Sequence, residues 1–239
     1  MINLVNLWVY LSGSQLLWLT VTLVAYLAAD AISAACGRHP LANPVLISVV
    51  FISLVLIVSK TAFPSYFAGA QFIHFLLGPA TVALAVPLFR HLPEVKRMFV
   101  PMIVALIVGS VVSISSAVLL AKWLGLSKLA TLALAPKSAT AAIAMGVAEK
   151  TQGDPALTAV MVIMTGISGA IIVTPLMNLL RLKNYAARGF AAGLVSHGIG
   201  TARAFQVNPL AGTFAGIALG LNGILTGILV PLLLPWLLG

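Results

Sequence analysis

Residues 196–203 read Ser-His-Gly-Ile-Gly-Thr-Ala-Arg and are flanked by apolar sequence on both sides. An apolar run at residues 189–195 precedes them, and residues 210–238 follow without an ionisable side chain. Ionisable groups are costly within a bilayer unless they face protein or a water-filled cavity. Glycines that interrupt a helix there also leave backbone groups that need other partners. We therefore predict a binding site built on a broken helix, with a helix-breaking loop at the membrane surface as the alternative.

The composition is that of a membrane protein. Of the 239 residues, 61% are hydrophobic and 7% are charged, whereas soluble domains are about 25% charged. We predict an all-α integral membrane protein, a polytopic helical bundle with discontinuous helices, crossing the bacterial inner membrane several times. The net charge of +9 comes mostly from short loops, which indicates topology and lipid-headgroup contact rather than nucleic-acid binding.

Several functional classes find little support in the sequence. The single cysteine, Cys36, excludes an intrachain disulfide. The sequence shows no nucleophile with a base and an orienting group and no phosphate-binding loop, so we expect no enzyme and no cofactor. Metal binding is not expected either, because His197 has no cysteine, aspartate or second histidine at ligand spacing. Residues 1–15 carry no signal-peptide pattern, so we expect the N-terminus to be retained.

Three apolar segments are interrupted by Gly, Pro and polar residues, and an uninterrupted span follows each. We predict helix discontinuities within them at residues 78–80, 136–138 and 196–200. An offset of 59 places residues 80–85 over residues 139–144 without a gap. We predict one domain, residues 1–239, with internal repeat units at about 71–123, 124–183 and 184–239.

Whether the interrupted segments cross the membrane or re-enter it stays open at this level. The distribution of Lys and Arg slightly favours re-entrant hairpins. Segment length favours crossings, because residues 71–89 would extend nearly 28 Å at about 1.5 Å per residue. One ion pair is also expected: Asp30, near the end of the first predicted span (residues 16–35), with Arg38 at the membrane interface.

The ionisable groups of the interrupted segments are cationic or can become so: Lys137, His197 and Arg203. The acidic residues all lie at span ends or in loops, so these segments favour an anion. Arg203 can hold a small carboxylate bidentately and Lys137 as a point charge, with hydroxyls and helix N-termini as further donors. His197 is either the carrier of a coupled proton or a structural donor. The predicted substrate-binding residues are Pro79, Thr81, Lys137, Ser138, Thr140, Ser196, His197, Gly198, Gly200, Thr201, Arg203 and Asn222.

Three motifs in one order resemble the LrgB/CidB family of bacterial membrane proteins. They are Leu-Gly-Pro-Ala-Thr-Val-Ala-Leu-Ala-Val-Pro-Leu at residues 77–88, Pro-Lys-Ser at 136–138 and the stretch at 196–203. The resemblance covers nearly the whole chain from Asn43-Pro44 onward. One departure is visible at residues 139–142, Ala-Thr-Ala-Ala, where the family usually has a Val/Thr/Thr-Pro run. The missing proline predicts a less kinked helix after Lys137.

The resemblance implies two functions. One is transport of small 2-oxo or 2-hydroxy monocarboxylates such as pyruvate or glycolate, as in a chloroplast glycolate/glycerate translocator that is similar in its C-terminal half. The alternative is an antiholin- or holin-like modulator of murein hydrolase export and autolysis, acting with a small LrgA/CidA-type membrane protein. The polar residues favour transport, because a pore of the holin type needs oligomerising spans but no buried Arg, Lys and helix breaks. A homo-oligomer is expected in either case.

Overall fold

The computed structural model describes residues 14–83 and 85–239, apart from the side chains of His74, Leu77 and Thr81. The chain forms two compact units, one ending at Ala83 and the other beginning at residue 84. Every regular element in the described residues is a helix. Four of these helices are long and apolar enough to cross a membrane.

The first unit contains four described helices. They are α1 (Gln15–Ala35), α2 (Pro44–Ser59), α3 (Phe63–Phe75) and α4 (Leu77–Ala83). Asn43 starts α2 by accepting hydrogen bonds from the backbone N–H groups of Val45 and Leu46, and Pro44 suits the first helical position. α1 packs on α3, where Trp18 meets Tyr66 edge-on with ring centroids 5.9 Å apart.

The predicted Asp30–Arg38 ion pair is confirmed. The Arg38 guanidinium donates to both carboxylate oxygens of Asp30, with one of the two contacts at 3.1 Å. This hydrogen bonding raises the pKa of Arg38, which lies beyond the end of α1.

The interruption predicted at residues 78–80 is wrong in its position. Those residues lie within α4, and the helical order is interrupted earlier, at Leu76. Pro79 is in the first turn of α4, where the missing N–H removes no helical hydrogen bond. The next N–H, that of Ala80, already bonds to the carbonyl of Leu76 at 3.0 Å.

The second unit contains eight described helices. They are α5 (Ala85–Arg90), α6 (Leu92–Arg97), α7 (Phe99–Trp123), α8 (Lys128–Leu134), α9 (Ala141–Lys150), α10 (Pro155–Leu179), α11 (Tyr185–Val207) and α12 (Pro209–Leu238). Of these, α7, α10 and α12 are long and apolar enough to span a bilayer, as α1 is in the first unit. α10 and α12 start alike, because Asp154 and Asn208 each precede a proline and cap the helix.

The chain reverses between α8 and α9. Residues 135–140 are not helical, and they include the interruption predicted at 136–138. A Cβ placed on Gly153, just after α9, would lie 3.3 Å from the Cβ of Leu132 in α8. Leu132 and Val147 also share one apolar cluster. We call α8, residues 135–140 and α9 the Lys137 hairpin.

A second reversal lies inside α11, at His197, whose φ of 41° and ψ of −132° are not helical. A Cβ placed on Gly200 would lie 2.6 Å from the carbonyl oxygen of Ala192, eight residues earlier. In a straight helix these positions would be about 12 Å apart along the axis. Ala192 and Ala204 share one apolar cluster. α11 is therefore two helical arms folded together, which we call the His197 hairpin.

The two hairpins start at opposite ends of the second unit. Met102, near the start of α7, packs with Ala186 and Phe190 at the start of α11. At the other end of α7, Lys122 donates to the carbonyl of Leu237, near the end of α12, at 2.8 Å. The His197 hairpin starts at the end of the unit that contains Met102, which we call the basic end. The Lys137 hairpin starts at the end that contains Lys122, which we call the opposite end. The two reversals therefore meet in the middle of the unit.

Candidate functional site

Lys137 is the charged group of the first reversal, and two serine hydroxyls hold it. Its Nζ donates to Ser113 Oγ on α7 and to Ser138 Oγ, both at 3.2 Å. The two hydroxyls are 2.9 Å apart. α9 begins directly after this reversal, and the Thr140 side chain does not cap it. Because free N–H groups at a helix start attract negative charge, they add to the positive character of this reversal.

A cavity of about 530 Å³ reaches Lys137. Its walls come from α7, the first arm of α11 and Phe214 of α12, and they extend from Met98 and Ala187 to Ser116 and Lys137. Among the described residues that line it, Lys137 is the only ionisable one. The cavity therefore combines apolar walls with one cation at its inner end, a pattern typical of small-molecule sites.

Asn222 of α12 lies between the two hairpins and is 1% exposed. Its Nδ2 donates to the carbonyl of Ser138 at 3.0 Å and to the carbonyl of Leu194 at 2.9 Å. Its Oδ1 accepts a hydrogen bond from Ser110 Oγ on α7 at 2.7 Å. One side chain therefore connects α7, α12 and both hairpins.

His197 is buried at the second reversal. Its Nε2 lies 2.9 Å from the carbonyl oxygen of Val162 on α10. Since a carbonyl only accepts, Nε2 carries the proton in this contact. The hydroxyl of Thr201 donates to the carbonyl of His197 at 2.8 Å.

Two glycines of α10 allow this close approach. A Cβ placed on Gly166 would lie 2.5 Å from Cε1 and 2.7 Å from Nε2 of His197. A Cβ placed on Gly169 would overlap the hydroxyl of Ser196. Small residues at four-residue or similar spacing commonly allow such packing between membrane helices.

The structure brings some of the predicted site residues together and separates others. Lys137, Ser138 and Asn222 form one hydrogen-bonded group, whereas Ser196, His197, Gly200 and Thr201 lie at or near the second reversal. Gly198 is exposed there. Pro79 belongs to the first unit, and the side chain of Thr81 lies outside what the structure describes.

Arg203 lines a different pocket from Lys137. That small pocket also includes Tyr185, Arg188 and Gly189. Because the His197 hairpin folds back, its second arm carries Arg203 away from the reversal toward the basic end. Arg203 Nη1 donates to Gln206 Oε1 at 3.4 Å on the same arm.

Two residues of this site, Ser110 and Ser113, were not predicted from the sequence. Both lie on α7, an apolar span without a helix break. Their signal was present, because residues 110, 113 and 116 are serines at three-residue spacing and so lie near one another on the helix surface.

Comparison with known proteins gives a consistent family. Residues 22–236 match the model of the LrgB-like family. "Uncharacterized protein YwbG" of Bacillus subtilis is 36% identical over 84% of this chain and 89% of its own length. "Holin-like protein CidB" of Staphylococcus epidermidis is 29% identical over 87% and 90%, and "Antiholin-like protein LrgB" of Bacillus mycoides is 28% identical over 86% and 90%. No solved structure matches the chain.

Proposed function

The chain belongs to the LrgB-like family, and from that premise we propose that this multi-pass bacterial membrane protein transports small 2-oxo or 2-hydroxy monocarboxylates such as pyruvate or glycolate. Lys137 binds the carboxylate, and the apolar cavity wall takes the short carbon chain. The protein acts as a transporter or as a transporter subunit with a small LrgA/CidA-type membrane protein.

One observation carries this proposal: a lysine ammonium at the inner end of a mostly apolar cavity, held by two hydroxyls. An unneutralised cation that is half-buried among apolar side chains is unfavourable, and a small anion would neutralise it. Ser113 and Ser138 can turn their hydroxyls to donate to the same anion. The start of α9 favours negative charge at this position as well.

The test is uptake of labelled pyruvate or glycolate by proteoliposomes that contain the purified protein. Lys137→Met keeps an unbranched side chain that is one atom shorter and removes the charge. We expect uptake to fall by at least about tenfold, the factor equivalent to about 1.4 kcal/mol of binding. The matched control is Lys150→Met at the exposed end of α9, which should transport normally. Equal uptake by both variants would contradict the proposal.

A substitution of His197 extends this experiment to proton coupling. A monocarboxylate carries charge against a potential that is negative inside, at about 2.3 kcal/mol per 100 mV, and a co-transported proton would cancel it. His197→Gln keeps an N–H that can reach the carbonyl of Val162. We expect this variant to bind substrate but to lose the dependence of uptake on pH between about pH 5 and 8. An unchanged pH dependence would make His197 a structural donor.

A second candidate function is that of a holin-like or antiholin-like modulator of murein hydrolase export and autolysis. The names of two relatives, a holin-like and an antiholin-like protein, support it more directly than they support transport. Its test is cell lysis after expression of the chain with and without a small LrgA/CidA-type protein. Lysis control that is identical for the wild type and Lys137→Met, together with absent uptake, would favour this function. We also propose a homo-oligomer, to be measured in detergent by light scattering.

A further inference from the structure

We infer that Asn222 is a positioning residue that ties the two hairpins together and thereby sets the position of the Lys137 ammonium. Asn222 is among the residues predicted from the sequence to bind substrate. In the structure, both the oxygen and the nitrogen of its amide instead form hydrogen bonds with protein groups, which belong to Ser110, Ser138 and Leu194.

The two carbonyls that Asn222 binds lie beside the two helix breaks. The last carbonyls of a helix have no partner within it. Leu194 lies three residues before the reversal at His197, and Ser138 lies within the nonhelical residues 135–140. A buried carbonyl without a partner is unfavourable. Asn222 donates to one carbonyl beside each break, with the two hydrogens of a single Nδ2 group.

A short chain of contacts leads from Asn222 to Lys137. The backbone carbonyl of Ser138 is held by Asn222, and the hydroxyl of the same residue lies 3.2 Å from Lys137 Nζ. The other hydroxyl on Lys137, that of Ser113, belongs to α7, the helix whose Ser110 holds Asn222 Oδ1. Both supports of the ammonium therefore come from segments that Asn222 connects.

The amide has one orientation that fits. Carbonyl oxygens accept only, so Nδ2 must face Ser138 and Leu194, and Oδ1 must face the Ser110 hydroxyl. An ionised Asp at this position has nearly the same shape but would direct a carboxylate oxygen at two carbonyls. We expect Asn222→Asp to separate the hairpins locally. This inference holds whatever the cavity binds, so it goes beyond the proposed function.

The test measures the position of the first reversal without any transport assay. In a Cys36→Ser background, Lys137→Cys reports on the reversal and Ser116→Cys reports on the same cavity wall. We expect Asn222→Asp to change the rate at which a charged methanethiosulfonate modifies Lys137→Cys by about fivefold or more, because two buried hydrogen bonds are lost. The rate at Ser116→Cys should stay the same.

Two further variants keep the result interpretable. Ser110→Ala leaves the amide in place but removes the hydroxyl that orients it, and it should change the rate at Lys137→Cys in the same direction by less. Thr226→Val is the control, because the Thr226 hydroxyl reaches Asn222 Oδ1 only at 3.5 Å. An unchanged rate at Lys137→Cys in Asn222→Asp, or equal changes at both reporter positions, would overturn the inference. If Asn222→Asp fails to fold, an unchanged rate in Ser110→Ala would do so.

Discussion

The second reversal, at His197, packs closely on two glycines of α10. The His197 ring lies over Gly166 and the Ser196 hydroxyl lies over Gly169, so neither glycine has room for a methyl group. The resulting close approach lets Nε2 reach the carbonyl of Val162 on α10. The position of His197 thus depends on the absence of side chains at Gly166 and Gly169 of α10. A methyl group at Gly166 should displace the His197 ring.

The corresponding substitution is Gly166→Ala. We expect it to destabilise the protein by about 1–3 kcal/mol, the usual effect of inserting a methyl group into a packed interior, and to lower the midpoint of thermal unfolding in detergent. Gly227→Ala on α12 is the matched control, because a Cβ there meets nothing within 4 Å. It should leave the midpoint unchanged or raise it slightly. Equal midpoints for the two variants would contradict the close packing of His197.

Among the elements, the hairpins show what sequence could and could not predict. Glycine, proline and polar residues in apolar sequence located the breaks at 136–138 and 196–200. The reversal at His197 depends on one pair of backbone dihedral angles and on the apolar cluster that includes Ala192 and Ala204, which no periodicity encodes. For the same reason we predicted from the sequence that Arg203 and Lys137 bind the same anion. In the structure, the second arm of α11 instead places Arg203 toward the basic end.

The site shows the same limit. Lys137 and Ser138 were predicted because they lie in a helix break within apolar sequence, where polar and ionisable residues are costly unless they have a function. Ser110 and Ser113 escaped because they lie in an uninterrupted span, and their role depends on which helix packs against α7. Residues 78–80 were misjudged because a proline inside an apolar segment fits a first helical turn as well as a break.

Cross-linking tests the His197 hairpin as an element. In a Cys36→Ser background, Ala192→Cys with Ala204→Cys should form an oxidative cross-link, because the two positions belong to one apolar cluster of the folded arms. A straight helix would hold them about 18 Å apart at about 1.5 Å per residue, beyond the reach of a disulfide. Ala105→Cys with Ala117→Cys has the same sequence spacing within straight α7 and should not cross-link. Cross-linking of both pairs or of neither would argue against the reversal.

Across the second unit, basic residues are unevenly distributed between the two ends. Near the basic end lie Lys96, Arg97, Arg181, Lys183 and Arg188, and near the opposite end lie Lys122, Lys128 and Lys150. Lys and Arg in short loops favour the cytoplasmic side. With both reversals placed as hairpins, this distribution predicts that the basic end faces the cytoplasm and that the Lys137 hairpin enters from outside.

Labelling of single cysteines tests this orientation. In a Cys36→Ser background, Lys150→Cys and Lys183→Cys place thiols at exposed positions on the opposite end and the basic end, respectively. A membrane-impermeant maleimide should label Lys150→Cys in spheroplasts and should label Lys183→Cys only after permeabilisation. The reverse labelling pattern would mean that the unit has the inverted orientation, with its Lys- and Arg-rich loops outside the cell. That would contradict the preference of such loops for the cytoplasmic side. Labelling of both thiols from the same side would instead refute the arrangement of hairpins and spans, because that arrangement separates residues 150 and 183 by one crossing helix, α10.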